Sequence, residues 1–261
     1  MIEINQKEVI GMLTEERYAT ILRILEEKKA ATVLELTQAL GASESTVRRD
    51  LTALHQSGRL YKVYGGATAI DNSYTAAEDD MSTKRELYAE EKTAIARKAA
   101  SLVKPHDFVY LDAGSTTLRL IDFLNEKAAT YVTNGISHAA HLAARGCKVF
   151  ILGGQLKALT EAITGTEALA NLDNYNFTKG FFGTNGISPK SGFSTPDSAE
   201  GIIKGAALIR CKHAYVLADH SKFDCITPIS FARLSAATII TGRLREQDRK
   251  YREYTTIIEG E

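Results

Sequence analysis

Apolar and polar residues alternate at helical spacing in three successive runs near the start of the chain. The runs predict helices over residues 15–28, 33–40 and 44–56. Their inner faces are formed by Tyr18, Ile21, Leu22, Leu25, Val33, Leu36, Leu40, Val47, Leu51 and Leu54. These faces predict a small three-helix core.

Capping residues mark where the second and third helices begin and end. Thr32 and Glu35 have capping-box spacing before the second helix, and Gly41 ends it. Ser43 can cap the third helix, and Gly58 ends that helix. Two helices joined by a turn that contains glycine are typical of a helix-turn-helix.

A short hairpin follows the third helix and predicts the wing of a winged helix-turn-helix. Its extended pieces are residues 59–61 and 62–64, closed by residues 65–67. In such a domain the exposed N-terminal face of the third helix enters the major groove of DNA. Small hydroxyls allow close approach there, and arginine can donate to guanine or phosphate. The predicted DNA face is formed by Ser43, Ser45, Thr46, Arg48 and Arg49 on the helix and by Arg59 and Lys62 on the wing.

Two alternatives to DNA binding follow from the same pattern. The three helices could pack against the rest of the protein, with Arg48 and Arg49 as solvated surface charges, or the winged helix could dock another protein. The segment Ser43-Glu-Ser-Thr-Val-Arg-Arg-Asp-Leu51, with Gly58 and the closing Tyr64-Gly-Gly-Ala67, resembles the DeoR family of bacterial sugar-operon repressors. The resemblance implies operator binding, with Asp50 on the protein side orienting an arginine. Tyr61 and Tyr64 stand in the wing where the family usually has a basic residue and a histidine.

Strands and helices alternate from about residue 91 onward, which predicts a parallel sheet covered by helices. Residues 68–90 carry acidic and small polar residues and predict a linker that is helical toward its C-terminal end. The predicted organisation is a winged helix-turn-helix over 1–67, this linker, and a larger domain over 91–261. The fold class is thus an α+β winged helix-turn-helix domain followed by an α/β Rossmann-like domain.

A candidate anion site follows the strand Phe108–Leu111. The loop Asp112-Ala-Gly-Ser-Thr-Thr117 leads into a helix predicted from Leu118. Free N–H groups at a helix N-terminus attract anions, and Gly114 lets the backbone come close. The alternative is a capped turn that holds nothing. The hydroxyls that could donate to an anion there are Ser115, Thr116 and Thr117.

Polar residues also follow other predicted strands, and ligands of open α/β sheets bind at the carboxyl ends of strands. Lys222 could neutralise an anionic ligand, or it could be a surface lysine that closes a turn. No GxGxxG motif is present, so we expect no dinucleotide cofactor. The polar residues at these strand ends are Thr133, Asn134, Gly153, Gly154 and Asn185.

This second half resembles the DeoR-type sensor domain, which is akin to ribose-5-phosphate isomerase. The matching stretches are Asp112–Thr117, Thr133-Asn134, Gly153-Gly154, Gly183–Ser188, Glu200 with Lys204, and Asp219-x-Ser-Lys222. The resemblance implies that Ser115, Thr116 and Thr117 hold a sugar phosphate and that Lys222 contacts the ligand. It also implies that Glu200 and Lys204 lie on a helix near the pocket.

Catalysis is not expected, because the residues of the isomerase's acidic turn have changed. Where that enzyme has Asp-Gly-Ala-Asp, this chain has Phe182-Gly-Thr-Asn185 and lacks both carboxylates. Moving a proton between two carbons needs such a base. Glu200 or Asp112 as a displaced base stays an alternative. His138 and His141 lie three residues apart, but we interpret them as packing or surface histidines and expect no metal.

Composition adds a test of the DNA prediction. The chain has 261 residues with 32 basic and 32 acidic side chains, and its zero net charge argues against a nucleic-acid partner. Residues 47–66 alone carry four bases (Arg48, Arg49, Arg59, Lys62) against Asp50, a local charge of +3. Binding depends on that local patch. No apolar run is long enough for a membrane span, and three separate cysteines favour the reducing cytoplasm.

These observations together predict a cytoplasmic bacterial repressor of a sugar operon that reads a phosphorylated sugar, and the family resemblance implies that the sugar releases it from operator DNA. We expect a homodimer or homotetramer and no membrane partner, because one small DNA face per subunit gives modest affinity. The alternatives are a phosphosugar isomerase-like enzyme with an N-terminal docking module, and a transcriptional activator.

Overall fold

The structure is a computed structural model that describes residues 13–28, 30–57, 59–68 and 81–260. Gly58 and most of the predicted linker lie outside the described residues. The chain divides into two compact units, with the boundary between Asp71 and Asn72.

The first unit contains the three predicted helices and a small antiparallel sheet. Its strand order is β1-β3-β2, and the sequence pattern predicts no counterpart of β1. The elements are α1 (Thr14–Lys28), β1 (Ala30–Thr32), α2 (Val33–Leu40), α3 (Glu44–Gln56), β2 (Tyr61–Val63) and β3 (Gly66–Thr68).

The predicted caps explain why α2 and α3 begin where they do. Thr32 Oγ1 accepts a hydrogen bond from Glu35 N at 3.2 Å, and Glu35 Oε2 accepts one from Thr32 N at 2.8 Å. Gly41 ends α2 in the left-handed conformation. Ser43 Oγ accepts from Thr46 N at 3.3 Å at the start of α3.

The predicted pairing of the wing is wrong. The hairpin joins β2 to β3 through Tyr64 and Gly65, whereas the sequence pattern predicts that residues 59–61 pair with 62–64. Gly65 has a φ of +80°, which favours glycine at this turn. A Cβ on Gly66 would lie 2.3 Å from Ala31 O, so β3 can pair closely with β1 only if this residue is glycine.

The second unit is an α/β domain, as predicted. Its helices are α4 (Met81–Glu86), α5 (Ala89–Ala100), α6 (Ser115–Asp122), α7 (Ile136–Ala144), α8 (Thr166–Leu172) and α9 (Ser198–Leu208). Its strands are β4 (Phe108–Leu111), β5 (Thr130–Thr133), β6 (Lys148–Ile151), β7 (Gln155–Lys157), β8 (Ala162–Thr164), β9 (Phe177–Gly183), β10 (Gly186–Ser188), β11 (Gly192–Thr195), β12 (Cys211–Leu217), β13 (Ile229–Ala232), β14 (Thr238–Thr241) and β15 (Ile257–Glu259).

A parallel sheet in the order β15-β14-β12-β9-β4-β5-β6 forms the centre of this unit. Val109 and Leu111 of β4 belong to one buried apolar cluster and Tyr110 to another, so the strand is covered on both faces. A smaller antiparallel sheet, β10-β11-β13, and the hairpin β7-β8 complete the unit. Parallel pairing places the carboxyl ends of β4, β5, β9 and β12 along one edge.

One helix differs from the prediction and another agrees with it. Helix α6 begins at Ser115, so the residues predicted as a loop before Leu118 form its first turn. Helix α4 occupies the end of the predicted linker and donates from Met81 N to Leu159 O at 3.3 Å. No helix in the described ranges is long and apolar enough to cross a membrane.

Candidate DNA face and candidate anion site

The N-terminal part of α3 presents polar side chains outward from a buried apolar face. Ser43, Ser45, Arg48 and Arg49 are exposed, and Thr46 is half-buried. Ser43 Oγ lies 2.9 Å from Ser45 Oγ and 2.8 Å from Thr46 Oγ1, which groups three hydroxyls at the helix start. Hydroxyls and guanidinium groups at this position suit both base edges and phosphates.

A partly buried ion pair anchors the opposite side of α3. Arg17 of α1 donates from Nε to Asp50 Oδ2 at 2.7 Å and from Nη2 to Asp50 Oδ1 at 3.1 Å. Asp50 is buried, and this hydrogen bond raises the pKa of Arg17. The arginine that Asp50 orients is therefore on α1, which fixes the angle between α1 and α3.

The wing offers fewer free charges than its sequence suggests. Lys62 Nζ donates to Thr52 Oγ1 of α3 at 2.7 Å, so this lysine ties β2 to the helix. Arg59 is exposed. Tyr64, at the tip of the hairpin, is fully exposed, and Tyr61 is 55% exposed.

We expect Glu44→Gln to raise the affinity for DNA several-fold. Arg48 Nε donates to Glu44 Oε1 at 3.0 Å across one exposed helical turn, so the carboxylate competes with phosphate for this arginine. Fluorescence anisotropy with a labelled duplex measures the change. The control is Glu27→Gln, which removes the same kind of exposed pair, with Arg23, from α1. An unchanged or lower affinity in Glu44→Gln would contradict the orientation of Arg48 toward DNA.

A buried ion pair lies at the carboxyl edge of the central sheet. Lys204 Nζ of α9 donates to Asp112 Oδ2, which also accepts from Gly183 N at 2.9 Å. Asp112 Oδ1 has no hydrogen-bond partner among the described residues, although the side chain is 1% exposed. Burial raises the pKa of Asp112, and the charge of Lys204 opposes that rise.

One of the three predicted hydroxyls in the first turn of α6 makes hydrogen bonds within the protein. Thr117 Oγ1 is fully buried and lies within hydrogen-bonding distance of Asp112 O (2.6 Å), Gly114 O (2.9 Å) and His138 Nε2 (3.1 Å). Thr117 therefore shapes the loop, and its contact with a ligand stays a prediction. Gly114 and Ser115 are half-buried and Thr116 is buried at the same helix start.

The polar side chains at the end of β5 also hydrogen-bond near this loop. Asn134 accepts from Ala113 N at 2.8 Å and donates to Ile163 O at 3.3 Å, and Thr133 Oγ1 accepts from Gly135 N at 3.0 Å. Both side chains are buried, and Asn134 holds the strand end of β5 against Ala113. Their contact with an effector stays a prediction.

The two histidines of α7 lie in different surroundings. His138 is buried behind the loop, and burial lowers its pKa to about 3, so it is neutral there. His141 lies 3.2 Å from Asp122 Oδ1 on an exposed surface. In the described part of the chain, three side chains of metal-ligating type lie close together, namely Glu91, Asp219 and His220. His220 Nδ1 lies 2.6 Å from Glu91 Oε2.

The glycine pair lies at the sheet's edge strand. Gly153 is exposed and donates its N–H to Asn171 Oδ1 at 2.9 Å. Gly154 has a φ of +143°, and a Cβ there would lie 2.5 Å from Thr164 O. Local packing of the β6–β7 connection explains the glycine at 154, and the effector contact of both residues stays a prediction.

The remaining predicted residues lie around the Asp112 carboxylate and the end of β12. Glu200 is buried and accepts from Thr160 Oγ1 at 2.6 Å and Lys157 Nζ at 3.0 Å. Burial opposes ionisation, but Lys204, Thr160 and Lys157 hold the pKa of Glu200 below its ordinary value. Asn185, beyond β9, is half-buried and accepts from Thr195 Oγ1 at 3.4 Å.

Lys92 is a candidate that the sequence pattern did not single out, and it is 4% exposed on α5. Its Nζ lies 4.0 Å from Asp219 Oδ2, close to half-buried Lys222. Burial lowers the pKa of Lys92 to about 8. The signal was present in the sequence, because Lys92 begins the i, i+3, i+4, i+7 stripe whose other members are Ile95, Ala96 and Ala99.

Two family models match the chain. The DeoR-like helix-turn-helix domain matches residues 17–73, and the DeoR C terminal sensor domain matches residues 87–243. Among curated proteins, the chain is 44% identical over 231 residues to the uncharacterized HTH-type transcriptional regulator FruR of Bacillus subtilis, covering 88% of this chain and 91% of that protein. It is 31% identical over 252 residues to a lactose phosphotransferase system repressor of Streptococcus mutans, covering 95% of this chain and all of that protein.

Solved structures also align with the chain. Ribose 5-phosphate isomerase A from Methanocaldococcus jannaschii aligns at 15% identity with a TM-score of 0.40, covering 52% of this chain and 54% of the isomerase. The full-length sorbitol operon regulator SorC from Klebsiella pneumoniae aligns at 11% identity with a TM-score of 0.37, covering 78% of this chain and 89% of SorC.

Proposed function

Because the chain belongs to the DeoR family of transcriptional regulators, we propose that it represses a sugar-metabolism operon and that a phosphorylated sugar releases it from operator DNA. The observation that carries the proposal is the exposed, capped start of α3 in a chain that also holds two buried lysines, each near a carboxylate, at the carboxyl edge of an α/β sheet. The first feature suits DNA and the second suits an anion.

The operator contacts are assigned to α3 first and to the wing second. Ser43, Ser45, Thr46, Arg48 and Arg49 would face the major groove, while Arg59 would reach the flanking backbone. Because Lys62 is bonded to Thr52, we assign it mainly to fixing the wing on α3. One such face is small, so a homodimer or homotetramer in the cytoplasm would be needed to bind repeated half-sites.

The effector would bind where β4, β9 and β12 end. Gly114, Ser115 and Thr116 offer N–H and hydroxyl donors at the start of α6, and Lys222 and Lys92 supply positive charge near Asp219. We assign recognition of sugar hydroxyls to Asp112 Oδ1 and Asn185. The ligand can change DNA affinity only by binding the two states of the protein unequally.

The two candidate bases, Asp112 and Glu200, are both paired with other side chains, which favours a binding role over isomerisation. Asp112 is bonded to Lys204, and Glu200 is bonded to Lys157 and Thr160. A carboxylate neutralised in this way is a poor general base. We therefore assign both residues to binding and support, with no catalytic residue and no cofactor.

A thermal-shift screen over pentose and hexose phosphates, each beside its unphosphorylated sugar, tests this function. We expect at least one phosphate to raise the melting temperature and to release a duplex that the protein selects from a random-sequence pool. The matched sugars should do neither. Stabilisation by the free sugars alone, or failure to select any duplex, would refute the proposal, and turnover of a stabilising phosphate would revive the enzyme alternative.

A further inference from the structure

A cavity lies at the end of the small antiparallel sheet that is farther from Asn185. Its volume is about 510 Å³, within the range of roughly 300–1,000 Å³ that is typical of small-molecule sites. One wall is the turn between β10 and β11, residues 189–192, and the other is the end of β13 with the residues after it, 230–235. Asn185 precedes β10, so this strand separates the cavity from the proposed effector site.

The two walls are held together at Gly192. This residue has a φ of +70°, and a Cβ on it would lie 2.1 Å from Ala232 O, so only glycine lets the turn pack this closely on β13. Ser188 Oγ fixes the turn, because it accepts from Lys190 N at 3.2 Å and from Ser191 N at 3.3 Å. The side chains of Lys190 and Ser191 therefore extend from a well-defined backbone.

The lining of the cavity is basic. Lys190 and Arg233 belong to it, and no acidic residue joins them in the described part of the chain. Both side chains are exposed, and neither has an ion pair or a side-chain hydrogen bond to another described residue. Arginine binds phosphate through paired hydrogen bonds and lysine binds it as a point charge. The hydroxyls of Ser191, Ser230 and Ser235 line the same cavity and can donate to an anion or to a sugar.

Aromatic rings supply an apolar surface beside these charges. Tyr254 lines the cavity and is 44% exposed, and its ring contacts no other aromatic ring of the described residues. Phe231, also in the lining, is half-buried and stacks on Phe193 with the ring centroids 6.1 Å apart. An exposed aromatic side chain can stack on any planar base. A ring next to two unpaired cations suits a ligand that joins a planar group to a phosphate.

We propose that this cavity binds a mononucleotide, with its phosphate on Arg233 and Lys190 and its base against Tyr254. The serine hydroxyls face the ribose. This ligand differs from the phosphorylated sugar of the proposed function, because its recognition requires a planar base. The chain would thus bind a nucleotide in addition to its sugar effector, and the nucleotide site does not depend on the effector site at the other end of β10.

Isothermal titration calorimetry of the full-length protein with the four ribonucleoside monophosphates tests the site. We expect at least one nucleotide to bind at least about tenfold more tightly than its nucleoside, which lacks the charge-assisted hydrogen bonds to the phosphate. Hydrogen–deuterium exchange locates the ligand, and the nucleotide should slow exchange in residues 189–192 and 230–235. Ribose 5-phosphate at the same concentration should not slow exchange there, because it has no base to stack.

Three variants assign the contacts. Arg233→Met should weaken nucleotide binding about tenfold and Tyr254→Ala about fivefold. Arg243→Met removes an exposed arginine outside the cavity and should bind the nucleotide like the wild type. Circular dichroism checks that each variant is folded.

Four results would overturn the nucleotide site. They are no binding of any of the four nucleotides, equal affinity for a nucleotide and its nucleoside, equal affinity in Arg233→Met and Arg243→Met, and slowed exchange confined to residues 112–117. The last result would place the nucleotide in the effector site. None of the four bears on whether a sugar phosphate releases operator DNA, so the proposed function stands or fails separately.

Discussion

Arg48→Ala/Arg49→Ala should lose at least about 30-fold in affinity for a duplex selected by the wild-type protein. Well-placed arginine contacts to bases contribute roughly 1–3 kcal/mol each, so two should contribute about 2–6 kcal/mol. Both side chains are exposed on α3, beyond the buried face formed by Val47 and Leu51. Their loss should therefore leave the fold intact, and anisotropy titration with circular dichroism measures both effects.

Salt dependence distinguishes arginines that bind phosphates from arginines that bind bases in this variant. The slope of log affinity against log salt is negative. It should become less negative by about 0.9 for every phosphate that the variant no longer neutralises. The control is Arg23→Ala, an exposed arginine of α1 with an i,i+4 glutamate like that of Arg48. If the double variant binds the selected duplex as tightly as Arg23→Ala does, α3 is not the recognition helix.

The helices of the first unit were predictable because their signals are local. Thr32 and Glu35 act across one turn, and Ser43 bonds an N–H three residues away. The wing was harder, because three-residue strands carry little periodicity. Their register depends on β1, which pairs with β3 across more than thirty residues of chain.

The loop at the carboxyl edge of the sheet was predicted in place, but the hydrogen bonds of its side chains were not. The strand ends that face it follow from parallel topology, which the alternation of elements indicates. The prediction placed the start of α6 too late. Gly114 precedes the helix and has no side chain to cap it, so the sequence carries no capping signal at this boundary. Thr117 hydrogen-bonds inward to Asp112 O, and the sequence contains no sign of that direction.

The partners of buried lysines could not be predicted from the sequence, as Lys92 shows. Its position in an apolar stripe shows that it is buried, but the partners at Lys84 and Asp219 come from distant or backbone groups. The same holds for Asp112 and Lys204, which are 92 residues apart. Charge pairing over such distances depends on which strands are neighbours in the sheet.

Lys204→Met should destabilise the second unit by about 3–5 kcal/mol at neutral pH, because it leaves the buried carboxylate of Asp112 without its counter-charge. Native-state hydrogen exchange of amides in β4 and β9 measures this in the full-length protein. Lys212→Met, an exposed lysine on β12, should have little effect and serves as the control.

The pH dependence of that destabilisation has a defined sign. Burial already raises the pKa of Asp112, and removing Lys204 raises it further. A carboxyl whose pKa is higher in the folded state binds more protons there, so lowering the pH favours folding. The difference in the free energy of unfolding between the wild type and Lys204→Met should therefore decrease as the solution is made mildly acidic. An increase in this difference would contradict the assignment of Asp112 and Lys204 as a buried ion pair.

A double variant separates stability from ligand binding at this pair. Asp112→Asn/Lys204→Met removes both charges and should recover most of the stability that Lys204→Met loses, because no unpaired charge remains buried. The introduced amide would keep an oxygen acceptor for Gly183 N, but the carboxylate that we assign to the sugar hydroxyls would be gone. The double variant should therefore fold, select the same duplex as the wild type and fail to release it with any sugar phosphate that releases the wild type. Release at wild-type concentrations would show that the pair only supports the fold.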